Sequence, residues 1–276
     1  MRFDRKEQMT GSDPQIYATL TNAERVWAIG AVHGERDKLV DLHKELRGRL
    51  QTGDRLVYLG NCIGYGPDPV GTVNEIISFR REFLARPGTF RDDHVLLRGA
   101  QEEMLRKLGQ LQLAPGPGEA LQWMLDHGAA ATLESYGINS IDGLGCCREG
   151  VVSLTRWSGN ITRTLRNLPG HDEYSVALRR AAFTNGGELL FSAAGINPDR
   201  PVSEQGDAFW WGSAGFSTIQ EPWRGFVRIV RGSDPVAHEA EMGAITATLD
   251  GGAGTGGTLH AACFTLDGKP LDWIQL

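Results

Sequence analysis

The sequence predicts an α/β domain on three observations. Between Arg25 and Arg98, apolar runs alternate with stretches of helical spacing in the order strand–helix–strand–helix–strand, the pattern of crossover connections. Strand-like runs return near the C-terminus, beyond a mostly helical stretch. The chain has 276 residues, 41% of them hydrophobic, which suffices for one large domain with a substantial core or for two small ones.

Residues 1–22 are polar and mixed in charge, and read as a flexible N-terminal arm. Arg25-Val-Trp-Ala-Ile-Gly30 reads as a buried strand ending at a glycine. Leu39, Val40, Leu42, Leu46 and Leu50 place an apolar stripe on a helix over Glu35 to Leu50. Gly53-Asp54 turns the chain into a second strand, Arg55 to Gly60, and a Gly/Pro-rich loop runs on to Pro69. Val70 to Arg86 is helical in pattern, and His94 to Arg98 reads as a third strand. From about residue 100 to 185 the spacing is mostly helical, with helices expected over Glu102–Leu113, Ala120–His127, Thr162–Leu168 and Tyr174–Ala182 and a loop over Leu144–Gly150. This stretch is expected as an insertion within a single domain spanning residues 23–276. Strands are expected again at Glu188–Ala193, Phe226–Val230, Ala244–Leu249, Thr258–Thr265 and Leu271–Gln275. Short turns such as Leu266-Asp-Gly268 predict a more antiparallel second half.

A net charge of -6 gives no footprint for non-specific nucleic-acid binding. Cys62, Cys146, Cys147 and Cys263 form no C-x-x-C pair and are expected as free thiols in a reducing compartment. The N-terminal residues lack the apolar run of a signal peptide, and no segment approaches the roughly 18 apolar residues of a membrane span. A cytoplasmic location is the expectation. The run Gly251-Gly-Ala-Gly-Thr-Gly-Gly257 lacks a Gly-Lys-Ser/Thr ending and leads into a strand, so it reads as a connection between strands rather than a phosphate loop.

Strand ends followed by loops are where α/β folds place their chemistry. Five such segments stand out: Gly30-Ala-Val-His-Gly34, Gly60-Asn-Cys-Ile-Gly-Tyr-Gly-Pro-Asp68, Leu97-Arg-Gly-Ala-Gln-Glu102, Ser192-Ala-Ala-Gly-Ile-Asn-Pro198 and Val230-Arg-Gly-Ser-Asp-Pro235. Their order and spacing resemble the phosphoprotein phosphatase branch of the calcineurin-like metallophosphoesterases, which includes bacterial serine/threonine phosphatases and dinucleoside polyphosphate hydrolases. That family's motifs run G-D-x-H-G, G-D-x-x-D-R-G, G-N-H-E, H-A-G and G-H-T-P. The stretches Trp123 to Gly137 and Leu249 to Leu259 are also similar to bacterial members, the second to their closing glycine-rich hairpin. The resemblance covers most of residues 24–276. It implies a four-layer αββα sandwich of two mixed β-sheets flanked by helices.

The resemblance also locates what has changed. Family members hold two divalent metals about 3.5–4 Å apart that activate water and clamp phosphoryl oxygens. At their six ligand positions this chain carries Ala31, His33, Asn61, Ala100, Ala193 and Ser233, of which His33 alone keeps the family's side chain. The general-acid histidine is Gln101, and the Asp-Arg pair of the second motif is Gly64-Tyr65. Alanine offers no donor, Asn61 brings no charge to bridge two dications, and Gln101 has no proton to give. The resemblance therefore implies a pseudophosphatase: a non-catalytic binding or regulatory module, with no cofactor expected and a protein or phosphate-containing small molecule as partner. The alternative is an active phosphoric ester hydrolase, a serine/threonine phosphatase or dinucleoside polyphosphatase, with a rebuilt site and Mn or Fe. His33, Asn61, Arg98 and Gln101 form a possible anion-binding set, since Arg98 suits phosphate oxygens and the amides can donate. A filled, inert cleft is its rival. His33 is either a relic bonded to nearby backbone or functional, and Arg98 either faces the pocket or sits in a structural ion pair. Glu102 is expected to cap or pair locally, and Arg200 to lie near the mouth of the old site. The remaining histidines, His43, His94, His127, His171, His238 and His260, show no ligand spacing. Phe209-Trp-Trp-Gly212 with Trp223-Arg224 is expected to pack in the core, with a binding surface as the rival reading.

Overall fold

Period-two alternation sets the central layers of the structure, a computed structural model in which residues 16–276 are described. The chain runs through β1 (Tyr17–Leu20), β2 (Arg25–Ile29), α1 (Arg36–Arg49), β3 (Asp54–Tyr58), α2 (Pro69–Leu84) and β4 (His94–Leu97). In β2, Val26 and Ala28 join the core between the two sheets, whereas Trp27 and Ile29 join the core beneath the helices. Leu56 and Tyr58 of β3 also join the helix side, against Leu39, Leu42 and Leu46 of α1 and Ile76 and Phe79 of α2. Burying a side chain of this size contributes about 1.5–3 kcal/mol, so these faces fix which way each strand points. Helix α2 starts where it does because the Asp68 carboxylate accepts from Gly71 N at 2.7 Å and Pro69 occupies the first turn.

The insertion follows as α3 (Ala100–Leu108), α4 (Pro117–Met124), α5 (Ala130–Ser135), α6 (Ser140–Glu149), α7 (Val151–Asn167) and α8 (His171–Ala177). It has a core of its own, in which Leu108, Leu121, Leu133, Leu154, Trp157 and Ile161 meet. Two expectations are corrected here. The loop expected at Leu144–Gly150 is mostly helix α6, because Leu144, Cys146 and Cys147 pack on that core and outweigh the weak helix propensity of its glycines. The helix expected to run to Ala182 stops at Ala177, and the chain continues as β5 (Leu178–Arg179) and β6 (Ala181–Thr184). Ala182 and Phe183 fill buried sheet positions, so tertiary burial decides their state.

The remaining elements are β7 (Leu189–Ser192), α9 (Ala208–Trp211), β8 (Arg228–Arg231), β9 (Glu241–Met242), β10 (Thr246–Thr248), β11 (His260–Thr265) and β12 (Pro270–Gln275). One six-stranded sheet has the order β12-β11-β2-β3-β4-β5, the other β1-β6-β7-β8-β10-β9, and both are mixed. Part of the expected N-terminal arm is thus a strand: β1 pairs in parallel with β6, Tyr17 opposite Ala181. The rest of that arm, residues 1–15, lies outside the described residues. The expected antiparallel second half holds for β11–β12 but not for β7–β8–β10, which are parallel. The segment between β7 and β8 is long enough for a crossover, which a short turn is not. The run Gly251–Gly257 is not a hairpin either, since it carries the chain from β10 in one sheet to β11 in the other.

Four layers result. Helices α1 and α2 cover one sheet, the sheets pack face to face, and the outer face of the second sheet is covered by α9 and the irregular chain around it. There Phe209, Trp210, Trp223 and Phe226 pack on Phe183 and Ile229, which places these tryptophans in the core. Among the described residues no helix is long and apolar enough to cross a membrane.

Candidate functional site

Backbone hydrogen bonds stitch the five strand-end loops into one cluster. Val32 N and His33 N, after β2, both donate to the carbonyl of Asn61, after β3, at 3.1 and 2.7 Å. Ala31 N donates to Gly232 O at 3.0 Å, joining the loops after β2 and β8. Gly232 N and Ser233 N donate to Ala193 O, after β7, at 3.0 and 2.8 Å. Asn61 Oδ1 accepts from Gln101 N at 3.0 Å, tying the loop after β3 to the start of α3. His33 and Asn61 both have positive φ, 53° and 51°, a conformation that non-glycine residues rarely adopt and that clusters at functional sites.

One carboxylate organises the α3 side of this cluster. Glu102 accepts from Asn61 N at 2.9 Å, Cys62 N at 2.8 Å, Gly99 N at 2.8 Å and the Tyr174 hydroxyl at 3.2 Å. It caps α3 and holds the loop after β3, as its expected local role implied. A second carboxylate lies on the opposite side. Asp250 is buried and accepts from Ser233 Oγ at 3.2 Å, Asp234 N at 2.8 Å and Gly252 N at 3.0 Å, with His238 Nδ1 at 3.1 Å.

No family model and no curated protein matches the chain, whereas solved structures do. A protein assigned as a diadenosine tetraphosphatase superposes with a TM-score of 0.58 at 18% identity, covering 95% of this chain and 97% of that one. The cold-active protein-tyrosine phosphatase of a psychrophilic Shewanella species gives 0.54 at 13% identity, over 95% of this chain and 84% of that one. A serine/threonine phosphatase from Saccharomyces cerevisiae, with similarity to human phosphatase PP5, gives 0.50 at 11% identity, over 99% and 85%. The chain has the calcineurin-like phosphoesterase fold. At these identities the likeness is one of fold, so what the site does follows from its own side chains.

In the calcineurin-like fold the loop cluster is where the two metals would lie, and the donor set here does not fit them. Ala31, Ala100 and Ala193 bring no donor atom. Asn61 Oδ1 is occupied by Gln101 N, and Ser233 Oγ is turned to Asp250. His33 retains an imidazole, with Nδ1 buried and without a partner. Burial pushes its pKa down to about 4, with the Asp250 charge opposing and His238 reinforcing, so it is neutral at pH 7. Among the described residues no three His, Cys, Asp or Glu side chains converge in a way that would hold a metal ion.

The space itself is also partly filled. The Gln101 side chain donates from Nε2 to His127 O at 2.8 Å and lies where a side chain at position 64 would project. A Cβ on Gly64 would come within 2.6 Å of Gln101 Cδ, and the positive φ of 113° there disfavours any side chain. Tyr65 packs edge-on against His33, ring centres 5.3 Å apart. From the other side the glycine-rich crossing seats Gly254 against the Cβ atoms of His33 and Tyr65, an approach that only glycine permits. Lys38 Nζ pins that crossing through Ala253 O at 3.1 Å and Gly257 O at 2.8 Å.

The expected anion-binding set is corrected in one member. His33, Asn61 and Gln101 do come together, but Arg98 lines a separate cavity beside α3, α7 and α8 whose walls include none of the other three. The reason is the turn between β4 and α3: Arg98 N bonds Arg179 O of β5 at 2.7 Å, and its guanidinium is 3.5 Å from Glu103. Arg200 is exposed, its carbonyl held by Gln205. Sequence reasoning missed Asp250 and His238 as members of the cluster. Asp250 stands directly before the glycine run, a polar residue at the end of a buried strand, and that position was the available signal.

Proposed function

We propose that this chain is a non-catalytic module on a phosphoesterase scaffold, acting by binding rather than hydrolysis. The observation that supports the reading is that the six former ligand positions converge while their donors are absent, spent within the protein, or reduced to His33. Without metals there is neither a Lewis acid nor an activated water, and Gln101 cannot replace the proton donor. Ser233 offers no relay in exchange, because its hydroxyl bonds the carboxylate directly instead of an imidazole. The neutral His33 and the nearby Asp250 charge also make this cluster a poor seat for phosphate, which favours the filled cleft over a retained anion pocket there.

The test is a hydrolysis assay with aryl phosphates, phosphopeptides and dinucleoside polyphosphates, with and without added manganese. The reading expects no turnover above background. A metal-dependent rate that disappears in His33→Ala would overturn it and favour a rebuilt hydrolytic centre.

A further inference from the structure

The cavity that receives Arg98 has the character of a ligand site. Its volume is about 270 Å³, near the lower end of small-molecule pockets at roughly 300 Å³ and well above the engineered cavity of about 150 Å³ that binds benzene. Its walls are largely apolar, with Ile63, Leu105, Ile161, Leu165 and Leu178 contributing. It opens at a polar rim, where Arg166 and Asp172 are well exposed and 4.0 Å apart.

The charges beside Arg98 are unevenly matched. Glu103 is held by both arms of Arg106, at 2.9 and 2.6 Å, with Lys107 at 4.0 Å. Its charge is therefore already matched before Arg98 is considered. The Arg98 guanidinium makes one long hydrogen bond to it, at 3.5 Å, among the described residues. A guanidinium has five donors in a fixed fork, and among the described residues Glu103 engages one of them. Burial depresses the Arg98 pKa, with the Glu103 charge opposing and the Arg106 and Arg180 charges reinforcing. Glu102 also borders the cavity, but its oxygens are taken by Asn61 N, Cys62 N, Gly99 N and the Tyr174 hydroxyl.

We propose that this cavity binds a small amphipathic carboxylate, its apolar body among Leu105, Ile161 and Leu165 and its carboxylate on the Arg98 fork. A carboxylate matches the planar, bidentate geometry of the guanidinium. The apolar walls supply the burial that a bare anion would forgo. The site shares Ile63 and Glu102 with the loop cluster but none of His33, Asn61 and Gln101.

Calorimetric titration with 3-phenylpropanoate tests this, with 3-phenylpropanamide and inorganic phosphate as comparison ligands. Wild-type protein is expected to bind the carboxylate, and the neutral amide at least about tenfold more weakly. Arg98→Ala should weaken carboxylate binding by about tenfold or more, and Arg98→Lys by less, because the charge remains without the fork. Thr162→Trp, a bulky change at a half-buried wall position, should abolish binding while leaving the thermal melt cooperative, and it decides the matter if Arg98→Ala fails to fold. The proposal is overturned if wild-type protein shows no heat with 3-phenylpropanoate up to millimolar concentration. It is equally overturned if Arg98→Ala or Thr162→Trp binds as wild type, or if inorganic phosphate binds as tightly as the carboxylate.

Discussion

Glu102 and the six positions that the family resemblance aligns with metal ligands belong to one loop cluster, yet Glu102 is fully engaged while three of the six carry no donor atom. Glu102 is 4% exposed and gathers four backbone N–H groups, of Asn61, Cys62, Ile63 and Gly99, and a tyrosine hydroxyl. The six aligned positions are three alanines, an asparagine, a serine and one histidine. The difference teaches that loop geometry and loop chemistry are held by separate atoms. The backbone turns, including positive φ at His33 and Asn61, are kept mostly by backbone bonds and by Glu102, with Asn61 Oδ1 adding one bond from Gln101 N.

The sharpest way to break this comparison is to remove the organising carboxylate. Glu102→Ala leaves buried N–H groups of Asn61, Cys62 and Gly99 without an acceptor, and should cost about 3–5 kcal/mol by urea unfolding. A cost below about 1 kcal/mol would show that the loops are held by something else.

A smaller effect comes from acid. The unfolded chain takes up a proton on His33 near its ordinary pKa of 6.5, whereas the folded chain refuses it until about pH 4. Stability should fall as pH drops through that window and be indifferent to His33 above it, with a loss on the order of 3 kcal/mol. His33→Gln should flatten this part of the pH profile. An unchanged profile would mean that His33 is not held neutral by burial.

Gly64→Ala should destabilise by about 1–3 kcal/mol, because it adds a Cβ at positive φ against Gln101. Combining it with Gln101→Ala should recover the steric part and leave the backbone part. Full recovery would assign the whole cost to the Gln101 contact. Smallest of all, Ala31→Asp should restore no hydrolysis, since Asn61, Ala100, Ala193 and Ser233 remain unsuited; a metal-dependent rate in that variant would contradict the account of the donor set.

How much of this was legible follows the same division. The alternation of Val26 and Ala28 against Trp27 and Ile29, and the stripe of Leu39, Leu42 and Leu46, are local patterns that period alone reveals. The five loops were legible because their glycines and donor positions recur at fixed offsets. Strand β1 was not, being four residues long and supported only by its partner β6. Helix α6 was hidden by its glycines until the insertion's core supplied the packing. Arg98 was left open between the old pocket and an ion pair, because spacing reports which loop a residue occupies and not which way its side chain leaves the turn. Asp250 went unseen because no pattern in one chain pairs it with Ser233 and His238, 17 and 12 residues away.

The central claim, that these loops no longer form a two-metal centre, is tested most directly by metal content. Protein purified without chelators and incubated with manganese or iron, then desalted, should carry far less than one metal ion per chain by elemental analysis, in wild type and His33→Ala alike. About two ions per chain in wild type, lost in His33→Ala, would contradict it.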